Sequence, residues 1–109
     1  MVTAPKQITT CRDAIKAVWP VELQDGAIIV LTHENRQENP RAVGAVNVGG
    51  SRDYGCFQIN DYWHKPFFAN NDWTDPVANA TYAYGIYEGR KHKTGNGWQA
   101  WYAVSGILW

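Results

Sequence analysis

Val43-Gly44-Ala45-Val46-Asn47-Val48-Gly49-Gly50-Ser51-Arg52-Asp53-Tyr54-Gly55-Cys56-Phe57-Gln58-Ile59-Asn60 is the stretch on which the fold turns. Two β-prone arms, Val43 to Val46 and Arg52 to Tyr54, flank the turn-prone Asn47-Val48-Gly49-Gly50-Ser51, the pattern of a small antiparallel hairpin. Phe57 to Ile59 adds a third short strand. These are the only strands expected in the chain, so the sheet is small and its surroundings are helix and loop.

Toward the N-terminus, Leu23, Ala27, Val30 and Leu31 recur at helical spacing and predict a helix from about Glu22 to His33 or Glu34, despite Gly26. Continuing that stripe reaches Glu34, which sets a carboxyl on the core-facing side, where desolvation raises its pKa. Thr10 is the expected N-cap of an earlier, shorter helix through Ala14, Ile15 and Val18. Trp19-Pro20 ends that helix, because a residue before proline is pushed out of the helical region. Downstream, Asp75 as N-cap and Pro76 at the first position open a helix with Val77, Ala80, Tyr84 and Tyr87 on one face. Gly95-Asn96-Gly97 reads as a loop before a last helix from about Trp98, carrying Trp101, Tyr102 and Val104.

The whole chain, residues 1–109, therefore reads as one mainly helical α+β domain, with residues 1–8 expected to fray. Ten Lys plus Arg balance ten Asp plus Glu. A zero net charge argues against a protein that coats nucleic acid or an anionic membrane. The 45% hydrophobic and 18% charged content fits a folded globule and excludes a disordered one. A monomer is expected. Six Trp and six Tyr against three Phe give an excess of amphipathic rings, which suit surfaces that bind sugars, bases or peptides. No stretch is apolar enough to cross a bilayer, and the opening MVTAPKQITT lacks the apolar run of a signal peptide. Cys11 and Cys56 are either one bridge, worth roughly 4 kcal/mol by chain entropy, or two buried thiols.

Glycoside hydrolysis needs one carboxyl kept protonated near neutral pH and, in many enzymes, a second left ionised in a wetter place. Glu34, closing an apolar stripe, suits the first task. Asp53, in a polar hairpin among Ser51, Arg52 and Gly55, suits the second. Position alone says little, since most carboxylates are solvated surface groups.

The residues then carry a likeness. Glu34-Asn35-Arg36, Asn47 to Ser51, and Asp53-Tyr54-Gly55-Cys56-Phe57-Gln58-Ile59-Asn60 resemble the segment joining the two catalytic carboxylates of the chicken-type (c-type) lysozymes. Gly95-Asn96-Gly97-Trp98-Gln99-Ala100-Trp101 is similar to that family's Gly-Asn-Gly loop and following Asn-Ala-Trp, and Asp75 to Tyr87 to the helix before it. That helix also resembles its counterpart in bacterial and phage lytic transglycosylase-like domains. The resemblance implies a lysozyme-like fold with a cleft between helices and sheet. It implies Glu34 as general acid and Asp53 as nucleophile or electrostatic stabiliser. Asn47, Gln58 and Asn60 match sugar-contacting cleft residues, Trp63 a sugar platform, and Trp101 an indole packed on the acid. Each also has a plainer reading: Trp98 and Trp101 as core aromatics, Gln58 and Asn60 as ties for the hairpin backbone.

The substrate so implied is the β-1,4 bond between N-acetylmuramic acid and N-acetylglucosamine in bacterial peptidoglycan, attacked outside the cytoplasm and without a cofactor. The chain departs from the animal enzymes in lacking four disulfides, in His64 where the family commonly has another Trp, and in showing no excess of positive charge. It therefore resembles a compact bacterial or bacteriophage endolysin-type domain, and a separate wall-binding module outside it is expected. A lytic transglycosylase using Glu34 alone and a non-catalytic peptidoglycan-binding module are the competing readings. Asp53 favours hydrolysis, and retention of both carboxylates disfavours the module. Metal binding is not expected: His33-Glu34 starts an HExxH pattern but Gln37 stands where its second His belongs, and Asn70, Asn71, Asp72 and Asp75 make an incomplete calcium loop. Asn79-Ala80-Thr81 is a glycosylation sequon inside an expected helix, where it would go unused.

Overall fold

A computed structural model describes residues 7–109. Most of the segment expected to fray, residues 1–6, lies outside the described residues, and Ile8 packs against the core. Helix α1 spans Cys11–Val18. The Thr10 hydroxyl caps it by accepting the Asp13 N–H at 3.1 Å, and it ends at Trp19, whose backbone is extended as a residue before proline requires. A 3-10 turn, Val21–Leu23, leads into α2, Gln24–Glu34. Ala27, Val30 and Leu31 are fully buried, so the apolar stripe faces the core and delivers Glu34 at its end. Gly26 is tolerated within α2 because a Cβ there would overlap the Trp98 ring.

The sheet is smaller than expected. It has two strands, β1 at Asp53–Tyr54 and β2 at Ile59–Asn60, antiparallel, with Asp53 opposite Asn60 and Tyr54 opposite Ile59. The anticipated first strand shrinks to a single bridge from Val43 to Tyr54. Beyond it the arm projects into solvent: Val46 is half exposed and Val48 wholly so. With no layer to pack on, the arm pairs through Gly44 N–H to the Asp53 carbonyl at 2.8 Å and closes in the turn bonds Asn47 N–H to Ser51 carbonyl at 2.7 Å and Gly50 N–H to Asn47 carbonyl at 2.9 Å. The anticipated third strand is shifted. Phe57 lies in the connecting turn and is buried in the core, while Ile59 and Asn60 take the ladder.

Helix α3, Lys65–Asn70, was not anticipated. Helix α4, Pro76–Thr94, was, and the Asp75 carboxylate caps it by accepting the Val77 N–H at 3.0 Å. Its buried face is Asn79, Ala80, Ala83 and Tyr87, with Val77 and Tyr84 at the margin. The last helix is corrected to two 3-10 turns, Gly97–Ala100 and Tyr102–Val104, broken at Trp101, whose backbone is extended. Aromatic packing explains the break. Trp19 stacks on Phe57 and Trp98 with centroids 5.7 and 5.8 Å away, and Trp101 must turn inward to lie 6.5 Å from Trp19. The Trp19 indole N–H donates to the Ala80 carbonyl at 3.0 Å, which locks the end of α1 to α4.

The open question of the cysteines resolves as a disulfide from Cys11 to Cys56, with Cα atoms 5.5 Å apart. It joins α1 to the turn between the two strands.

Candidate functional site

Glu34 emerges from α2 half-buried and faces a cleft of about 210 Å³. Asp53 on β1 and Gln58 and Asn60 on the turn and β2 line the same cleft from the sheet side. Trp101 and Tyr102 line it from the C-terminal turns, and His64 and Ile86 are also among its lining residues. Burial pushes the Glu34 carboxyl up from an ordinary 4.5 to about 7; the negative charge of Asp53 adds to the rise, and His33 opposes it. A carboxyl in that position keeps its proton into the neutral range, the condition for a general acid.

Asp53 is held by the pairing of its strand. Because Asp53 sits opposite Asn60 in the two-stranded register, the Asn60 amide donates to Asp53 Oδ1 at 2.9 Å and to Ser51 Oγ at 3.1 Å. The Asn60 Oδ1 accepts the Tyr62 and Trp63 N–H groups at 3.0 and 3.1 Å. One side chain thus fixes the second carboxylate and the following turn together. Gln58 has φ +52°, unusual for a residue with a Cβ, and a strain of about 1 kcal/mol goes with it. Its amide donates to the Gly55 carbonyl at 3.0 Å and the Ala42 carbonyl at 3.3 Å, so Gln58 ties the turn down while lining the cleft.

Beneath this turn lies Asn79, fully buried on α4. Its Oδ1 accepts the Phe57 N–H at 2.9 Å, and its amide donates to the Tyr54 and Trp73 carbonyls, each at 3.2 Å. Gly55, at φ +78°, leaves the room that this amide occupies; a Cβ there would collide with it. The sequon asparagine is therefore a structural pin. Asn35, directly after Glu34, plays the same part from the other side, donating to the Asn39 carbonyl at 2.8 Å and the Gly55 carbonyl at 3.2 Å.

Two expected site residues lie elsewhere. Asn47 is exposed in the hairpin turn, its amide donating to Ser51 Oγ at 3.3 Å. Trp63 is 75% exposed and lines a separate, shallower groove of about 640 Å³ with Tyr62, Lys65, Asp61 and the hairpin residues Val48 to Ser51. That groove shares no lining residue with the carboxylate cleft. Among the described residues, no group of three or more His, Cys, Asp and Glu side chains is placed to hold a metal ion, and no helix is long and apolar enough to cross a membrane.

Residues 30–103, which include the α2 end, the sheet, α3, α4 and Trp101, match the family model described as a lysozyme-like domain. The chain belongs to the lysozyme-like domain family. This lysozyme-like domain is similar to insect proteins: it is 53% identical to "Lysozyme 2" of Lucilia sericata over 38 residues, 34% of this chain and 26% of that one. To "Lysozyme 1" of Musca domestica it is 34% identical over 84 residues, covering 66% of this chain and 55% of the relative. To "Lysozyme P" of Drosophila melanogaster it is 38% identical over 71 residues, covering 54% and 47%. The chain thus spans about half or less of the length of these relatives.

His64, Ile86 and Tyr102 line the cleft of the lysozyme-like domain without having been singled out as site residues in the sequence. His64 stood out there only as a departure from the family pattern. Ile86 and Tyr102 carry no local signal at all, because the packing of α4 and the break at Trp101 bring them to the cleft.

Proposed function

We propose that this lysozyme-like domain is a muramidase, hydrolysing the β-1,4 bond between N-acetylmuramic acid and N-acetylglucosamine in peptidoglycan. The observation that carries this reading is a carboxyl, Glu34, whose proton persists to about pH 7 in the same cleft as an anchored second carboxylate, Asp53. Lysozyme is the type case of such a carboxylate pair.

Glu34 donates its proton to the bridging oxygen as the glycosidic bond breaks, and the departing sugar leaves as an alcohol. Asp53 stabilises the positive charge developing on the remaining ring, or bonds to its anomeric carbon. Glu34, now ionised, takes a proton from the water that completes hydrolysis, and both carboxyls return to their starting states. Gln58, Asn60 and Trp101 contact the sugars in the cleft, with Trp63 and Asn47 engaging the strand beyond it.

A lytic transglycosylase would leave Asp53 without a task. The Asn60 bond that orients Asp53 favours hydrolysis. The substrate lies outside the cytoplasm, and the Cys11 to Cys56 bridge suits an oxidising site of action. We assign the source type as bacterial or phage endolysin on the sparse cysteines, with a monomeric catalytic unit and wall binding supplied by a further module.

Digestion of purified peptidoglycan followed by fragment mass measurement tests this. Hydrolysis leaves ordinary reducing ends, and Glu34→Gln abolishes their release. Ends lighter by one water would establish the transglycosylase instead, and equal release by Glu34→Gln would remove Glu34 from the reaction.

A further inference from the structure

His64 is the one cleft-lining imidazole, and its surroundings hold it in a single pose. Its backbone N–H donates to the Asn60 carbonyl at 3.2 Å and its carbonyl accepts from Phe67 N–H at 3.0 Å, anchoring it at the start of α3. Its ring meets the Tyr82 ring edge-on, centroids 5.3 Å apart, while Tyr82 itself packs on buried Phe67 at 4.7 Å. The Tyr82 hydroxyl lies 2.9 Å from His64 Nδ1.

Nδ1 is therefore occupied from the α4 side. Among the described residues Nε2 has no hydrogen-bond partner and no buried side-chain nitrogen or oxygen is left unpaired, so Nε2 is open to solvent. Burial lowers the His64 pKa and raises that of Tyr82, so the ring is neutral and the phenol protonated near neutral pH. A neutral imidazole carries one N–H, and the partner of one nitrogen decides which. A phenol that donates to Nδ1 leaves the hydrogen on Nε2.

We infer that Tyr82 is a positioning residue that donates to His64 Nδ1 and thereby fixes Nε2–H as a hydrogen-bond donor in the cleft, for a hydroxyl or amide oxygen of the bound saccharide. This rests on the saccharide-cleaving reading of the cleft. A tryptophan side chain would offer an indole N–H with no choice of tautomer, whereas an unassisted histidine divides its hydrogen between two nitrogens. Tyr82 restores a single donor. Ile86, one turn along α4, lines both this cleft and the apolar groove that contains Tyr82, so the saccharide passes close to the pair.

The test combines nitrogen-15 NMR of the His64 ring with binding of tri-N-acetylchitotriose to the full chain and digestion of peptidoglycan. The wild type shows Nε2–H, and Tyr82→Phe shows a mixture of tautomers. Tyr82→Phe weakens trisaccharide binding about twofold, the cost of drawing the Nε2–H tautomer from an even mixture. It raises KM by the same factor and changes kcat by less than that. In a His64→Phe background the same change does not alter binding, because there is no ring nitrogen to orient; this comparison separates positioning from a loss of packing. Nδ1–H in the wild type would overturn the inference. So would unchanged binding by Tyr82→Phe, or an equal loss in the His64→Phe background. A wild type that neither digests peptidoglycan nor binds the trisaccharide would instead overturn the muramidase reading beneath it.

Discussion

Glu34 pays for its position with the free energy of the fold. An acid whose folded pKa, about 7, exceeds its ordinary 4.5 contributes nothing either way below about 4.5. It then works against the folded state as pH rises toward 7, and the cost stays constant above that. Glu34→Gln removes the charge, so the variant is expected to be about 2 kcal/mol more stable than the wild type at pH 8 and equal to it at pH 4. Urea denaturation at the two pH values measures this, and an equal gain at both would refute burial as the cause. On the proposed muramidase reading the same proton sets activity: kcat/KM for peptidoglycan is expected to fall as pH rises through about 7, where Glu34 ionises. Loss of at least about 100-fold in kcat accompanies Glu34→Gln. A rate that stays flat across that range would mean that another group supplies the proton.

Among the elements, the turn between β1 and β2 depends on one buried amide. Asn79→Ala leaves the Phe57 N–H and two carbonyls without their partner, so a destabilisation of about 3 kcal/mol is expected. Activity falls beyond what the unfolded fraction explains, since Asp53 and Asn60 lie on either side of that turn. Thermal melts with kcat measured well below the transition separate the two effects. Helix α2 has its own weak point. Gly26→Ala should improve an ordinary helix, yet here the added methyl meets the Trp98 ring, and a net loss of about 1 kcal/mol is expected. A gain in melting temperature would show that Trp98 gives way freely.

For the molecule as a whole, the helices meet the turn between the strands at three ties, the Asn79 pin, the Asn35 amide to Gly55 and the Cys11 to Cys56 bridge, while the Trp19 indole joins α1 to α4. The bridge spans 45 positions and encloses α1, α2 and β1, so breaking it releases the largest loop in the chain. A Cys11→Ser, Cys56→Ser double variant is expected to lose about 4 kcal/mol, read as a lower midpoint in chemical denaturation. Reduction of the wild type should reproduce the shift. Little change would mean that the aromatic cluster around Trp19 restrains the unfolded chain almost as well.

Local signals decided much of this protein. Thr10, Trp19-Pro20, Asp75-Pro76 and the stripe ending at Glu34 act within a few residues of themselves, so caps, breaks and the buried carboxyl were legible in the sequence. The excess of Trp divides between core and surface, and packing decides which: Trp19 and Trp101 fill the core, and Trp63 lies in the open. The arm from Val43 to Val46 has the residues of a strand, but a strand needs a surface to lie on, and only the assembled fold shows that none is there. The cleft is likewise a product of assembly. Helix α2, the two strands, the start of α3, α4 and the turn after Trp101 each contribute to it, and their meeting depends on long-range packing that no local pattern encodes.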